Sequence, residues 1–496
     1  MDQTRSGNLG LHYLRAVARF PQVLAVTGAG LSVTHGQLAE ASLALALGLH
    51  ERGMGQGSTV AVRTADPVIS LASLMATALI GARWVFGHGN LLGTDRLAID
   101  LTLDDATMEP ASLPITPLDA TWFAPRSVTP GSALPFAGFR SDDDIWMISQ
   151  TSGTTGTPKL VGLPHRVVVD RIAANARRLD WRGLRMASLF PVSAPVWLTY
   201  ALTALLHAGS VRFGRDAEAW FGDGVGYALA SPAQAASGLQ GLCAPGKVAI
   251  LQLSGGPAAE SLVRDLLSSF AEVWVGYGST EGFNALTNIR TLRADGSIAS
   301  RTVLAPGSRV EVVAADGSPV PAGQEGEIRV TNTYLAPGYL NAPEATAASF
   351  RAGSFHPGDL GLWDAEGNFH ITGRVNDQFN LGGQKVNAQL LDFTLLGVEG
   401  VRDAISFILP DLPGTEGLRA FLSVEPGADM SRLLAEARIA LLALGGESVV
   451  PRRFLFADTL PRNQNGKADR RACVRMVEEG KFRRQERAAQ ADEAHL

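Results

Sequence analysis

Hydrophobic positions recur along this chain with two alternating spacings. Residues 38–52 and 68–80 carry apolar side chains at helical spacing, whereas 59–62 and 83–86 are short apolar runs typical of buried strands. This alternation predicts βα units built on a mostly parallel sheet. A second α/β stretch begins at Ile145 and extends to about residue 285.

The pattern changes after residue 300. Strand-like runs at 309–313 and 326–330 flank Asp316-Gly317, a dipeptide that favours hairpin turns. Residues 300–372 are therefore predicted to form a small antiparallel β unit.

The chain beyond Arg374 has the pattern of a separate compact domain. Strand-like runs at 404–409 and 420–424 are followed by a helix-like stretch at 431–444. Runs of both kinds in a short segment predict an α+β domain.

Composition limits the classes of protein to consider. A chain of 496 residues is too long for one hydrophobic core, and 46% hydrophobic with 18% charged residues is an ordinary globular balance. The net charge of −5 argues against a basic surface for nucleic acid or an anionic membrane.

The expected location follows from apolar runs and cysteines. No apolar run reaches the roughly 18 residues of a membrane span, so none is predicted. The first residues lead to no signal-peptide core, and the two cysteines, Cys243 and Cys473, fall in different predicted domains. These features predict a reduced, cytoplasmic protein.

Residues 152–159 read Ser-Gly-Thr-Thr-Gly-Thr-Pro-Lys and are the most informative segment. Glycine amides and hydroxyl groups can surround a polyphosphate, with a lysine as the counter-charge. The segment follows a predicted buried strand, 145–150, as nucleotide phosphate loops usually do. It is not a Walker loop, because Pro158 has no N–H and Lys159 does not follow a glycine. A surface turn rich in Gly and Thr stays open as the alternative.

Four further segments combine with this octet into an ordered set of motifs. They are Gly276-Tyr277-Gly278-Ser279-Thr280-Glu281, Pro357-Gly358-Asp359, Gly373-Arg374-Val375-Asn376-Asp377-Gln378 and Pro461-Arg462-Asn463-Gln464-Asn465-Gly466-Lys467. Each resembles a motif of the adenylate-forming superfamily, which includes acyl-CoA synthetases, adenylation domains and luciferase, and the five occur in the family's order. Ser254-Gly255-Gly256 and Gly338-Tyr339 are weaker matches.

The resemblance implies an enzyme that uses ATP and Mg²⁺ to convert a carboxylic acid into an acyl-adenylate with loss of pyrophosphate. A nucleophile then takes the acyl group and AMP leaves. The pyrophosphate would be held by Lys159 and the amides and hydroxyls of the octet. The octet positions implied in binding are Ser152, Gly153, Thr154, Thr155 and Gly156.

The other implied roles in adenylation fall on residues of the later motifs. Glu281 would bind Mg²⁺, Thr280 would contact the α-phosphate or the new adenylate, and Lys467 would bridge the attacking carboxylate and the α-phosphate. The remaining nucleotide contacts implied are adenine on Tyr277, a nucleotide-binding position at Gly278, close backbone approach at Gly255 and Gly256, and ribose at Asp359 and Arg374. Taken singly, each also fits a structural role, such as a core aromatic or a turn aspartate.

For the second step, the resemblance implies rotation of a C-terminal domain about Asn376, where relatives often carry Asp or Lys. Gly383 would let a pantetheine arm pass and Lys385 would meet a CoA phosphate. The implied fold is α/β, with a large N-terminal domain of two βα-layered subdomains plus a small β unit, then a small mobile α+β domain. The predicted domains are 1–374 and 375–496.

Substrate and acceptor are less defined by sequence. Domains of the family that select α-amino acids carry an Asp after a Phe near the pocket, whereas Phe190 is followed here by Pro191-Val192-Ser193. A carboxylic acid that is apolar near its carboxyl group is therefore expected, against walls that include Trp197, Tyr200, Gly278 and Phe283. CoA is the first choice of acceptor. A separate carrier protein with its phosphopantetheine, or an amine, is second, and a non-catalytic nucleotide-binding homologue stays open, as does the oligomeric state.

Overall fold

The computed structural model describes residues 8–87, 97–109, 114–124, 134–136, 138–151, 159–214, 216–239, 241–242, 248–375, 378–381, 384–412, 414–462 and 468–482. The chain folds into two compact units. The first comprises Met1–Ser254, Asp265–Val310 and Val330–His356, and the second comprises Gly255–Arg264, Glu311–Arg329 and Pro357–Leu496. The predicted domain boundary after Arg374, with its hinge at Asn376, stays a prediction, and Asn376 lies outside the described residues.

Helices occur throughout the described chain. In chain order they are α1 (Leu9–Val17), α2 (His35–Glu51), α3 (Pro67–Ile80), α4 (His165–Arg178), α5 (Pro195–Leu206), α6 (Glu218–Gly222), α7 (Pro232–Gly238), α8 (Glu260–Leu266), α9 (Pro343–Ser349), α10 (Ala388–Leu396), α11 (Met430–Gly445) and α12 (Arg470–Glu478).

Strands are short and numerous. In chain order they are β1 (Leu24–Gly28), β2 (Leu31–Thr34), β3 (Thr59–Arg63), β4 (Arg83–Phe86), β5 (Leu101–Asp104), β6 (Thr116–Pro117), β7 (Ile145–Gln150), β8 (Leu160–Pro164), β9 (Arg185–Ser188), β10 (Ser210–Arg212), β11 (Tyr227–Ala230), β12 (Val248–Leu253), β13 (Phe270–Ser279), β14 (Phe283–Leu292), β15 (Ile298–Leu304), β16 (Arg309–Val313), β17 (Gly326–Thr331), β18 (Tyr339–Leu340), β19 (Phe350–Arg351), β20 (Ser354–Phe355), β21 (Asp359–Trp363), β22 (Phe369–Arg374), β23 (Gln378–Leu381), β24 (Gln384–Asn387), β25 (Val401–Ile408), β26 (Leu418–Val424) and β27 (Arg453–Phe456).

The first unit contains two large sheets. Among the described residues one sheet has the order β18-β8-β7-β4-β3-β5-β6, and the other has the order β15-β14-β13-β12-β11-β9-β10-β1-β2. Pairing is parallel from β7 through β4, β3 and β5 to β6 in the first, and from β13 through β12, β11, β9 and β10 to β1 in the second. Parallel strands joined through helices confirm the predicted α/β fold.

Local sequence explains where the first helices begin and end. The Thr34 hydroxyl accepts from the Gln37 amide, and the Gln37 side chain accepts from the Thr34 amide, which caps α2 from both sides. The Asp66 carboxylate caps α3 before Pro67, and Gly81 ends that helix with a φ of 80°. Apolar side chains of both helices lie in the main hydrophobic core of the first unit.

The C-terminal part of the second unit is an α+β structure, as predicted. Strand β26 pairs antiparallel with β25 and parallel with β27. Helices α10 and α11 pack with this sheet through a hydrophobic cluster that includes Leu395, Leu418, Leu422 and Leu441.

Two ion pairs flank residues 463–467, which lie outside the described chain. Arg462 forms an ion pair with Asp403, and Arg470 forms one with Asp392 at 2.5 Å. A β-bridge joins Arg462 to Ala468. The two ion pairs attach the residues on either side of 463–467 to Asp403 and Asp392.

We expect the Asp392→Asn substitution to change how stability depends on pH. Burial raises the pKa of Asp392 to about 6, although Arg470 favours the charged carboxylate. The folded state then binds this proton more tightly than the unfolded chain, so the carboxyl group's contribution to the free energy of unfolding falls as pH rises from about 4 to about 6. The melting temperature of the wild type minus that of the variant should fall by about 2–4 °C between about pH 4.5 and 7.5. A difference that grows with pH would mean that attraction to Arg470 outweighs burial.

Within the described residues, no helix is both long enough and apolar enough to cross a bilayer.

Candidate active site

The predicted phosphate loop connects the two strands of a hairpin. Strand β7 matches the predicted buried strand, and Gln150 pairs with Leu160 at its end. The Thr151 amide donates to the Lys159 carbonyl at 2.8 Å, which closes the base of the connection. The octet positions Ser152, Gly153, Thr154, Thr155 and Gly156 lie outside the described residues, so their predicted phosphate contacts stay predictions.

The predicted magnesium ligand lies in the tight connection between β13 and β14. Ser279 pairs with Phe283, which leaves Thr280, Glu281 and Gly282 as a three-residue loop. Phe283 has a φ of 58°, an unfavourable conformation for a bulky residue. A side chain on Gly278 would place its Cβ only 2.1 Å from the Phe283 carbonyl oxygen, so glycine is required there by the close approach of the strands.

A buried arginine on α4 donates hydrogen bonds to backbone carbonyls of this loop. The Arg171 guanidinium on α4 donates to the carbonyls of Thr280 (3.0 Å), Glu281 (3.2 Å) and Tyr334 (3.2 Å). Burial lowers the pKa of Arg171 to about 10, so the group stays charged at neutral pH. Sequence reasoning missed this residue. Its only signal was an arginine on the apolar face of a helix, beside Val168 and Ile172.

Tyr339 contacts both charged residues of the predicted phosphate site. Its hydroxyl donates to Glu281 Oε1 at 2.9 Å, and the Lys159 ammonium lies 4.5 Å from the centre of its ring. The Glu281 side chain is buried, and Lys159 and Tyr339 are half-buried. The structure therefore brings Lys159 and Glu281 to one place in the first unit, through a residue to which the sequence gave no role.

These side chains fit the magnesium ion that the family resemblance implies. Mg²⁺ is usually held by one or two carboxylates together with phosphate oxygens and water. Glu281 supplies one ionisable carboxylate, with one oxygen oriented by Tyr339. In the described part of the chain no group of three or more His, Cys, Asp or Glu could hold a metal ion. The Glu281 carboxylate therefore fits the magnesium role that the resemblance implies, in which the triphosphate would supply further oxygens, and this role stays a prediction.

Three of the predicted acyl-pocket walls, Trp197, Tyr200 and Phe283, lie within the core of the first unit, whereas Gly278 is exposed. Trp197 and Tyr200 are almost fully buried on α5, and the Tyr200 ring lies 6.4 Å from that of Phe283. The hydroxyls of Tyr200 and Tyr227 both donate to Gln252 Oε1. Tyr200, Tyr227 and Phe283 thus form an aromatic cluster, and contact of the predicted walls with an acyl group stays a prediction.

Tyr277 lies on β13, three residues before the loop formed by Thr280, Glu281 and Gly282. It pairs with Leu286 just before a bulge in β13, and its side chain is largely buried. Its predicted contact with adenine is not tested by this arrangement.

The predicted ribose residues are joined in the second unit. Asp359 and Arg374 pair across β21 and β22, and Arg374 Nε lies 2.8 Å from Asp359 Oδ1. Arg374 thereby orients the carboxylate that the resemblance assigns to the ribose hydroxyls. Gly255 has a φ of 93°, and a Cβ on Gly255 or Gly256 would meet no atom within 4 Å. This space is compatible with the predicted close approach of a nucleotide.

Several predicted residues cannot be compared with the structure. Lys467 and Gly383 lie outside the described residues, as does the side chain of Lys385. Their roles in adenylation and in CoA binding stay predictions.

Comparisons with known proteins agree with the motifs. The family model for "AMP-binding enzyme" matches residues 95–340. A feruloyl-CoA synthase from an Amycolatopsis species is 30% identical over 500 residues, which cover 93% of this chain and 98% of the relative.

Solved structures share the fold over nearly the whole chain. The amide bond synthetase McbA from Marinactinospora thermotolerans is 23% identical, with a TM-score of 0.76 over 94% of this chain and 99% of that one. The O-succinylbenzoate CoA synthetase MenE from Bacillus subtilis, solved with ATP and a magnesium ion, is 21% identical, with a TM-score of 0.79 over 93% and 98%.

Proposed function

Because the chain belongs to the family of AMP-binding enzymes, we propose that it activates a carboxylic acid with ATP and transfers the acyl group to CoA. It is an AMP-forming ligase whose cofactors are ATP and Mg²⁺. The acyl-adenylate is the intermediate, and pyrophosphate and AMP are the products released.

One observation carries the proposal. Lys159 and Glu281 both contact Tyr339, although they come from hairpins in different sheets of the first unit. A cation and a carboxylate at one place serve the two needs of a leaving pyrophosphate, because the cation binds its oxygens and the carboxylate holds the metal ion that neutralises it.

Each remaining residue has a role in this proposal. Lys467 joins the attacking carboxylate to the α-phosphate, and Thr280 contacts that phosphate. Residues 152–156 of the octet bind pyrophosphate. Tyr277 receives adenine, Gly278 is part of the nucleotide site, and Gly255 and Gly256 admit the nucleotide. Asp359 and Arg374 bind ribose, and Gly383 and Lys385 receive CoA after a rotation at Asn376.

The acid and the acceptor are argued from the sequence and from one relative. One relative is a feruloyl-CoA synthase, and the stretch after Phe190 lacks the acid that pairs with an α-ammonium group. An aryl acid, or another carboxylic acid that is apolar near its carboxyl group, with CoA as acceptor is therefore our first choice. A carrier protein or an amine as acceptor remains the alternative.

A cytoplasmic location is also part of the proposal. Cys473 is a buried free thiol, and burial raises its pKa to about 12, which keeps it protonated and unreactive. Cys243 lies outside the described residues. Oligomeric state remains open.

The proposal is tested by incubating the enzyme with Mg·ATP, a panel of aryl, alkyl and amino acids, and either CoA, hydroxylamine or no acceptor. Products are identified by mass spectrometry. We expect an acyl-CoA and AMP from one class of carboxylic acid that is apolar near its carboxyl group. Hydroxamate without any acyl-CoA would mean that adenylation occurs but that CoA is not the acceptor, and ADP in place of AMP would contradict the proposal.

A further inference from the structure

We propose that Tyr339 is a positioning residue that holds the Glu281 carboxylate and the Lys159 ammonium in register for a magnesium-bound triphosphate. This inference rests on the proposed function of the site. It assigns a role in binding to a tyrosine that need not touch the nucleotide.

The backbone of Tyr339 is fixed next to the phosphate hairpin. In the two-residue strand β18, Leu340 pairs with Leu160 and Tyr339 pairs with Val161, so the tyrosine lies beside the residues that follow Lys159. The Tyr339 amide donates to Thr346 Oγ1 at 2.9 Å. The preceding Gly338 has a φ of 151°, and a Cβ there would lie 2.5 Å from the Thr346 methyl group. Glycine at 338 therefore lets α9 pack against this turn.

The hydroxyl of Tyr339 orients the carboxylate of Glu281. An ionised carboxylate only accepts hydrogen bonds, so the phenol is the donor in the 2.9 Å contact with Oε1. A hydrogen bond to one oxygen of a buried carboxylate limits the orientations that the carboxylate can adopt. The backbone of Glu281 is fixed independently, because its carbonyl accepts from Arg171 and from the Ala336 amide. The hydroxyl therefore controls the side chain of Glu281 and not the shape of the loop.

The ring of Tyr339 holds Lys159. An ammonium 4.5 Å from the ring centre is attracted by the negative face of the aromatic system. This contact places the Lys159 ammonium on the ring of the same tyrosine whose hydroxyl bonds to Glu281.

Tyr339 therefore links Lys159, which lies beside one sheet, to Glu281, which lies in a loop of the other sheet. Lys159 precedes β8 in one sheet, and Glu281 connects β13 to β14 in the other. All these residues belong to the first unit. A displacement of either hairpin would separate the cation from the metal ligand unless a third residue linked them.

The test uses two substitutions that separate the hydroxyl from the ring. Tyr339→Phe removes the hydrogen bond to Glu281 but keeps the ring under Lys159, and Tyr339→Leu removes both. Tyr334→Phe is the matched control, because Tyr334 is fully buried and its hydroxyl bonds to Ser308 and the Pro306 carbonyl. The readout is the rise in melting temperature as Mg²⁺ is added to the full-length protein in ATP, which requires no carboxylic acid and no turnover.

Tyr339→Phe should raise the half-saturating Mg²⁺ concentration about tenfold, as expected for loss of a hydrogen bond to a charged group. Tyr339→Leu should in addition weaken ATP binding at saturating Mg²⁺ by about threefold. Tyr334→Phe should lower the melting temperature without ligands but leave the Mg²⁺ response within about twofold.

A Tyr339→Phe protein that is less stable but responds to Mg²⁺ like the wild type would overturn the inference, since the residue would then be structural only. A wild-type protein that binds Mg·ATP but forms no adenylate with any acid would contradict the proposed function and would leave this binding test valid. If Mg²⁺ did not change ATP binding by the wild type, both would be wrong.

Discussion

Lys467→Ala should slow carboxylate-dependent pyrophosphate release by about 100- to 1,000-fold. Lysine at this position is expected to bring the attacking carboxylate and the α-phosphate together and to neutralise charge that develops as the bond forms. Loss of one such charged donor from an active site usually costs this much in rate. The rate is measured at saturating ATP and acid, so that weaker binding does not enter the comparison.

The loss of rate in Lys467→Ala should be confined to adenylation. When the acyl-adenylate is supplied directly with CoA, Lys467→Ala should form the thioester within about tenfold of the wild-type rate, because the group acts in the first step. Lys481→Ala is the matched control among the chain's five lysines. Lys481 is exposed, pairs with Glu479, and should tolerate the change without loss of rate. Equal losses in both steps would contradict a role specific to adenylation.

Glu281→Gln should have the second-largest effect. Glutamine keeps the size of the side chain and can still accept from Tyr339, but it lacks the charge that binds Mg²⁺. We expect pyrophosphate release to fall by about 100-fold at limiting Mg²⁺ and to recover in part as Mg²⁺ is raised. The measurement is the rate of release as a function of Mg²⁺ at fixed ATP.

Glu272→Gln is the control for this substitution. Glu272 lies on the same strand, β13, where it accepts from the Trp274 indole. Its substitution should change the Mg²⁺ dependence by no more than about twofold. A Glu281→Gln enzyme with wild-type rates at every Mg²⁺ concentration would exclude Glu281 as the metal ligand.

Local sequence was sufficient to predict individual elements with strong periodicity. Strand β7 has the predicted bounds, and α3 begins only one residue before the predicted stretch because Pro67 follows its Asp66 cap. The helix at 431–444 extends one residue further at each end, from its Asp429 cap to Gly445. The first and last residues of an element can be predicted from local sequence when the element has a capping residue and a clear apolar face.

Long-range pairing could not be predicted from the same signals. Strand β1 lies beside β10, almost 200 residues further along the chain. This pairing could not be predicted, because the apolar pattern of a parallel strand does not specify its neighbour. The arrangement of the candidate active site could not be predicted from local sequence either. Motifs identified Lys159 and Glu281 separately, whereas their common contact with Tyr339, and the hold of Arg171 on the loop, depend on tertiary packing.

The most direct test of the account is exchange of labelled pyrophosphate into ATP, measured with and without a carboxylic acid from the responsive class. Reversible formation of an acyl-adenylate predicts exchange that requires both the acid and Mg²⁺ and that needs no CoA. Turnover that yields ADP and phosphate, with no acid-dependent exchange, would contradict adenylate formation and with it the central claim.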